Sequence, residues 1–318
     1  MDKSKLNIKD MKLLDLLDLD SRANLSVLSK QLSISNQATS KKIKQLLNQD
    51  FLKFVTFVDL FSIGYNNAHI YLKLQGYEKK DYENFIIEIS KIRGIAWIAE
   101  LFGDFDLGIS FFYKNNLELA KFMEKINIIC KDNIKERETF FIKEHIISNI
   151  CFDRDSKRVL DKIQLSNKIH SLNKQEMAIL GKIKSNSRYS IYSLSEELKL
   201  NPKTIKNIIK RLESLKIIRW YKIIPNYRKL NKMYNVCLLE IKPGEKIESI
   251  MNFFEQERNI PFISRTFENN LLFDYISQDY QELKDYVNLL KKKFEDKILN
   301  YKIFSIEKVI KNVETYEE

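Results

Sequence analysis

The sequence predicts an α+β chain in which one mixed unit is written twice. Three observations carry the prediction. Shifted by 166 positions, the N-terminal part lies on a later part without a gap: Ser21 and Arg22 fall on Ser187 and Arg188, Leu28, Ser29 and Leu32 on Leu194, Ser195 and Leu198, and Ile43, Lys44 and Leu46 on Ile209, Lys210 and Leu212. Within each half the apolar spacing is first helical, at three, four or seven residues, and then turns to strands. The composition, 44% apolar and 31% charged over 318 residues, is that of a folded chain with room for about two ordinary domains.

Each half, residues 1–148 and 170–318, starts with three short helices. Asn7 with Asp10, and Asn173 with Glu176, place a capping side chain three residues before an acid, close to a capping box. Helix one then buries Met11, Leu14 and Leu17, or Met177, Leu180 and Ile183; helix two buries Leu25, Leu28 and Leu32, or Ile191, Leu194 and Leu198. Turns follow at 33–35 and 199–201. Helix three starts after the N-caps Ser35 and Asn201, with Pro202 well placed at the first helical position. It buries Ile43, Leu46 and Leu47, or Ile205, Ile209 and Leu212. The β-branched and aromatic runs FLKFVTFV (51–58) and IIRWYKII (217–224) are strands, expected to form a wing, so that each half opens as a winged helix-turn-helix.

The remainder of the first half reads strand (67–74), amphipathic helix (80–92), strand (95–102), strand (107–113), helix (117–129) and long strand (134–147). The second half repeats that order from 234 to 310. The order βαββαβ is the ferredoxin-like split unit. The expected domains are thus 1–62 and 171–229 as winged helices, 63–148 and 230–318 as ferredoxin-like domains, and 149–170 as a charged connector, partly helical through Val159, Leu160 and Ile163. The repeated strand set, whose second apolar face needs cover, predicts that the two ferredoxin-like units pair within the chain as a pseudo-dimer, strand face to strand face.

Composition bounds the chemistry. With 54 Lys and Arg against 43 Asp and Glu the formal charge is +11, which suits a polyanionic partner, nucleic acid first among them. Only 7 glycines in 318 residues argue against a glycine-rich nucleotide-binding enzyme. No signal-peptide core or membrane-length apolar run is present, so a membrane role is not expected. Three dispersed cysteines, Cys130, Cys151 and Cys237, form no metal or disulfide pattern; no metal and no cofactor are expected, and the cytoplasm is the expected compartment. The histidines His69, His145 and His170 share no spacing, and no catalytic motif occurs, so no catalytic residue and no enzyme activity are expected.

The runs SRANLSVLSKQLSISNQATSKKIKQLLNQDFL and SRYSIYSLSEELKLNPKTIKNIIKRLESLKII, with LFGDFDLGISFF between strands two and three, resemble the Lrp/AsnC (leucine-responsive regulator/asparagine-operon regulator) family over nearly the whole chain, taken twice. The resemblance implies a transcriptional regulator that binds double-stranded DNA through its winged helices. Its ferredoxin-like, AsnC-type ligand-binding domains would pair and sense a small, amino-acid-like effector. Two departures stand out: Asp50 and Lys216 occupy the left-handed position after helix three where the family has Gly, and the GDFD turn is replaced in the second half by FENNLL (267–272).

In such a fold helix three enters the major groove. The candidate DNA contacts are Asn36, Gln37, Ser40, Lys41 and Lys44 in the first half and Lys203, Thr204, Lys206, Asn207 and Lys210 in the second. Arg22 and Arg188, before helix two, and Lys53, Arg219 and Lys222, on the strands, are candidate phosphate contacts; the alternative is that all of these are simply solvated faces. Gly103, Asp104 and Asp106 are the candidate effector residues, although a paired turn carboxylate is more often hairpin geometry. Trp97, Phe102 and Phe105 are core residues or line a pocket between the sheets. Two other readings stay open. Siroheme decarboxylases look like this family too, and would recruit Arg93, Arg265, His69 and His145 around a tetrapyrrole carboxylate. A protein-interaction module that has lost DNA binding is the third.

Overall fold

The computed structural model describes residues 6–152 and 156–312, so residues 153–155 of the connector lie outside the described part. The first half runs α1 (Ile8–Leu19), α2 (Leu25–Leu32), α3 (Asn36–Asn48), β1 (Leu52–Val58), β2 (Asn66–Leu74), α4 (Lys79–Ser90), β3 (Ile95–Gly103), β4 (Leu107–Tyr113), α5 (Asn116–Cys130), β5 (Ile134–Ser148) and β6 (Leu160–Gln164). The second runs α6 (Lys174–Ser185), α7 (Ile191–Leu198), α8 (Pro202–Ser214), β7 (Ile218–Pro225), β8 (Met233–Ile241), α9 (Glu248–Gln256), β9 (Phe262–Thr266), β10 (Leu271–Ser277), α10 (Tyr280–Phe294) and β11 (Ile298–Asn312). The α+β tandem of winged helix and ferredoxin-like unit is therefore the observed fold.

The capping boxes form as the sequence dictates: Asn7 and Asp10 exchange side-chain and backbone hydrogen bonds at α1, and Asn173 and Glu176 do so at α6. Asp50 and Lys216 both sit at φ 55°, in the left-handed region, confirming that the chain turns there without glycine.

The wing is the first correction. Instead of folding back as a hairpin within its own head, β1 pairs antiparallel with β7 of the other head, from Leu52 opposite Pro225 to Val58 opposite Ile218. The cores are cross-stitched in consequence. Ile223 of β7 packs among Leu13, Leu14, Leu17 and Leu28 of the first head, and Val58 and Leu60 pack among Ile179, Ile183 and Leu194 of the second. Thr56 Oγ1 donates to the Ile183 carbonyl at 2.7 Å, and Trp220 Nε1 donates to the Leu19 carbonyl at 2.8 Å. The second correction is the connector. Its Leu160–Gln164 segment is a strand on the end of β5, not a helix.

The ferredoxin-like sheets pair within the chain, but edge to edge through hydrogen-bonded ladders, not only strand face to strand face as expected. The nine-stranded sheet runs β2-β4-β3-β11-β8-β10-β9-β5-β6, and β2 also pairs with β5, so all strands but β6 close a barrel. Two seams join the halves: β3 on β11 and β5 on β9. Outside, α4 and α5 cover the first wall through Ile89, Phe122 and Ile126, while α9 and α10 cover the second through Phe254 and Leu290. Inside, Tyr71, Phe105, Phe140, Val236, Leu238, Leu272 and Phe304 from both halves fill one end. Strand alternation thus decides which side chains enter the barrel: odd numbers on β2, even numbers on β8 and β10.

Candidate functional site

The other end of the barrel is not filled. Between its mouth and the paired head strands lies a cavity of about 870 Å³, at the upper end of the usual range for ligand pockets. Both halves build it. From the first half β2 contributes Asn67 and His69, β3 contributes Trp97 and β5 contributes His145. From the second, β8 contributes Tyr234 and β10 contributes Asp274. Lys53, Arg228, Lys232 and Lys308 bring positive charge to its lining, with Asp50 and Glu307 among them.

The two histidines lie together. Their ring centroids are 6.1 Å apart, and His145 stacks on Phe61 at 5.5 Å and meets Phe262 at 5.0 Å. His145 Nδ1 is 3.0 Å from Ser264 Oγ. Desolvation disfavours the imidazolium, holding His69 down to about 4 and His145 to about 3, the latter also repelled by its neighbour. Both are neutral at ordinary pH. Across the cavity Tyr234 Oη donates to Asp274 Oδ2 at 2.5 Å, and burial pushes the Asp274 carboxyl up to about 7 against the opposing effect of that hydrogen bond. Asn67 donates to Ser110 Oγ and to the Phe111 carbonyl, both at 3.1 Å, while its buried Oδ1 has no partner among the described residues. A cluster of neutral imidazoles, an acid titrating near neutrality and an orphan acceptor is the pattern of a binding or catalytic pocket rather than of a core.

The residues singled out from sequence fall into three groups. On α3, Asn36, Gln37, Lys41 and Lys44 are exposed and Ser40 is half-buried; on α8, Lys203, Thr204, Lys206, Asn207 and Lys210 are all exposed. Arg22 lies over the Tyr221 ring at 4.9 Å. Lys53 is exposed but lines the cavity.

The second group is committed elsewhere, which corrects its reading as free phosphate contacts. Arg188 donates to the Ser21 and Ala23 carbonyls and stacks on Phe54, tying head to head. Arg219 makes a two-pronged ion pair with Asp161 of β6. Lys222 is buried, 2.9 Å from both Asp18 Oδ2 and the Ser148 carbonyl.

The third group is the GDFD turn. Asp106 accepts from the Leu74 amide at 2.7 Å and from Lys73 at 3.1 Å, and Asp104 accepts from the Ile303 amide at 2.8 Å. Gly103, at φ 128°, lets the chain pass Ile303, whose carbonyl would stand 2.7 Å from any added Cβ. The turn is joinery between β3 and β11, with Phe105 buried beneath it. Phe102 is 70% exposed, and Trp97 reaches the cavity. Arg93 is exposed in the turn between α4 and β3, and Arg265 binds Asn269; neither lines the cavity, whereas His69 and His145 both do. Asp274, Tyr234 and Asn67 were missed. Their one local signal is a polar side chain on the inward alternation of an otherwise apolar strand.

No family model matches the chain. It is 27% identical over 92 residues to an uncharacterized HTH-type transcriptional regulator of Pyrococcus furiosus, covering 29% of this chain and 62% of that protein, so the chain spans less than two thirds of this relative. It is 23% identical over 142 residues to another from Pyrococcus horikoshii, covering 44% of this chain and 93% of that one. Among solved structures, the siroheme decarboxylase NirDL matches at 13% identity and a TM-score of 0.61, over 97% of this chain and 94% of that chain. The same enzyme in co-complex with an iron-uroporphyrin III analogue matches at 0.62 over 97% of this chain. The chain is thus similar to HTH-type transcriptional regulators over up to 44% of its length, and it carries the helical head and the βαββαβ unit twice. The expectation of a protein without enzyme activity is corrected by the whole-chain match, because over nearly its full length the chain has the fold of an enzyme.

Proposed function

We propose that the chain is a tetrapyrrole enzyme, binding a polyanionic macrocycle in the cavity between its halves and removing carboxylate as carbon dioxide. The observation that carries this reading is the cavity itself: about 870 Å³, lined by both halves, with a histidine pair from the first and a tyrosine–aspartate pair from the second. Trp97 offers flat apolar surface to a macrocycle. Lys53, Arg228, Lys232 and Lys308 offer charge to its peripheral carboxylates. Neutral His69 and His145 can each donate one ring N–H to a carboxylate, and the free nitrogen of an uncharged imidazole is what would hold a metal at the macrocycle centre. The whole-chain fold likeness to a siroheme decarboxylase points the same way.

The test is a titration of the purified chain with an iron uroporphyrin, followed by incubation with siroheme and mass analysis of the product. A saturable change in the visible spectrum that is lost when His69 and His145 are both replaced by Ala, together with stepwise loss of carbon dioxide, is expected. An unchanged spectrum would overturn the reading.

A second reading rests on a separate observation, the exposed faces of α3 and α8. We infer that Lys41 and Lys44, with Asn36 and Gln37, and Lys203, Lys206 and Lys210, with Asn207, contact duplex DNA. The relatives bearing the name of HTH-type regulators support this. A small-molecule effector would then occupy the cavity and not the Gly103–Asp106 turn, whose carboxylates already hold β2 and β11. DNA contact by the heads and chemistry in the barrel use different surfaces and are compatible in one chain.

A further inference from the structure

Loss of carbon dioxide leaves a carbon that must be protonated, and the cavity holds few groups able to do this. His69 and His145 are neutral there, so each carries only the weakly acidic N–H of an uncharged imidazole. The lysines and arginine of the lining serve better as counter-charges than as donors. Asp274 is different in position and in surroundings. It stands at an inward position of β10, in the half that does not carry the histidines, flanked in sequence by Phe273 and Tyr275 of the outer core. Its Oδ2 accepts from Tyr234 Oη at 2.5 Å, and no hydrogen bond from the described residues reaches its Oδ1.

We propose that Asp274, oriented by Tyr234, is the proton donor for the carbon that loses carbon dioxide. This rests on the decarboxylase reading above. The bond between the carboxylate and its methylene carbon breaks heterolytically, carbon dioxide leaves, and the electron pair stays on the methylene carbon, delocalised into the macrocycle. That carbon takes the proton of Asp274. The carboxylate left behind is stabilised by the Tyr234 hydroxyl, which donates more strongly to the anion than to the acid. Solvent then restores the proton. The balance is one carboxymethyl group and one proton giving one methyl group and carbon dioxide, with no oxidant or reductant.

The environment is suited to the task. Tyr234 is the titratable group that acts on Asp274, through its hydrogen bond; Tyr71, Tyr227 and Cys237 feel the Asp274 charge, and all four are held protonated by burial. Desolvation raises the Asp274 carboxyl to about 7, so that it is substantially protonated where the histidines are not. Catalysis by a positioned acid is most effective when its pKa lies near the working pH.

The experiment uses the full chain and follows tetrapyrrole binding and carbon dioxide loss separately. Replacement Asp274→Asn should leave the spectral titration with iron uroporphyrin intact and slow decarboxylation by about 10²–10⁴-fold, as expected for removal of a positioned acid. In the unaltered chain turnover should fall as pH rises through about 7. Tyr234→Phe removes a hydrogen bond that lowers the Asp274 pKa, so it should move that limb to higher pH. A merely structural pair would not shift the limb. Full turnover in Asp274→Asn, or an unmoved limb in Tyr234→Phe, overturns the proposal while leaving the decarboxylase reading standing. A wild-type chain that binds no tetrapyrrole overturns both. The Tyr234→Phe profile keeps the test decisive even if Asp274→Asn fails to fold.

Discussion

Acid should destabilise this protein in a way that one side chain, His145, can be made to report. Only 7% of it is exposed, and it is sandwiched between Phe61 and Phe262. In the unfolded chain its imidazole titrates near 6.5; in the folded chain burial holds it to about 3. Above pH 6.5 both states carry the neutral ring and nothing is gained or lost. Below it the unfolded chain takes up a proton that the folded chain refuses, so stability falls as pH drops from 6.5 toward 3. At about pH 4.5 the gap is roughly two pH units, or about 2.7 kcal/mol from this residue.

The assay is urea unfolding of the wild-type chain and of His145→Phe, each at neutral pH and at about pH 4.5. Phenylalanine matches the apolar flanks and cannot titrate; its own effect on packing and on the Ser264 contact is present at both pH values and cancels. Carboxylates and His69 titrate in both chains and cancel to first order. The variant should therefore lose about 2–3 kcal/mol less than wild type on acidification. Equal losses in both chains would mean that His145 is hydrated or protonated in the folded state, and the neutral-imidazole basis of the proposed site would go with it.

Three further outcomes are expected. Lys222→Met should destabilise by about 3–5 kcal/mol in chemical denaturation, because it leaves the fully buried Asp18 without its cation; adding Asp18→Asn should recover part of the loss, and a single-variant effect below about 1 kcal/mol would refute the pairing. Gly103→Ala should lower the melting temperature by several degrees, since φ 128° and a carbonyl at 2.7 Å both oppose a Cβ; an unchanged melting curve would show that β3 and β11 separate easily there. If duplex binding neutralises about six phosphates, log affinity should fall against log salt with a slope of about −5, and converting Lys41, Lys44, Lys206 and Lys210 to Ala should reduce it by about 3–4. A slope that does not respond places DNA contact on another surface.

What could be read in the sequence was what local chemistry decides. Asn7, Ser35, Asn173 and Asn201 cap the helices they were expected to cap, since a short polar side chain before an apolar period has few other uses. The βαββαβ order followed from period alone. What failed depended on partners far along the chain. Nothing in FLKFVTFV says that its partner is IIRWYKII of the other head, and a strand needs only some strand beside it. Arg219 and Lys222 look like surface cations in the sequence because their partners, Asp161 and Asp18, are distant along the chain. The connector segment forms a strand where its pattern predicts a helix, because Val159, Leu160 and Ile163 suit either period over so short a run. The cavity was hardest of all, because no single strand contains it. Yet NAHIYLKL sets Asn67, His69 and Tyr71 on one face, and LLFDYIS sets one acid into an apolar strand; each is a polar intruder on the face that should be driest.

The closed barrel has one more consequence. Its two seams, β3 on β11 and β5 on β9, are ladders between unlike edges, and a separate half would carry both edges bare. Left to itself, such a half would find its own copy and enclose either four imidazoles or two acids. Being one polypeptide holds the unlike half at high local concentration, which favours the mixed barrel over those matches and supplies the unequal halves at one to one in every molecule made.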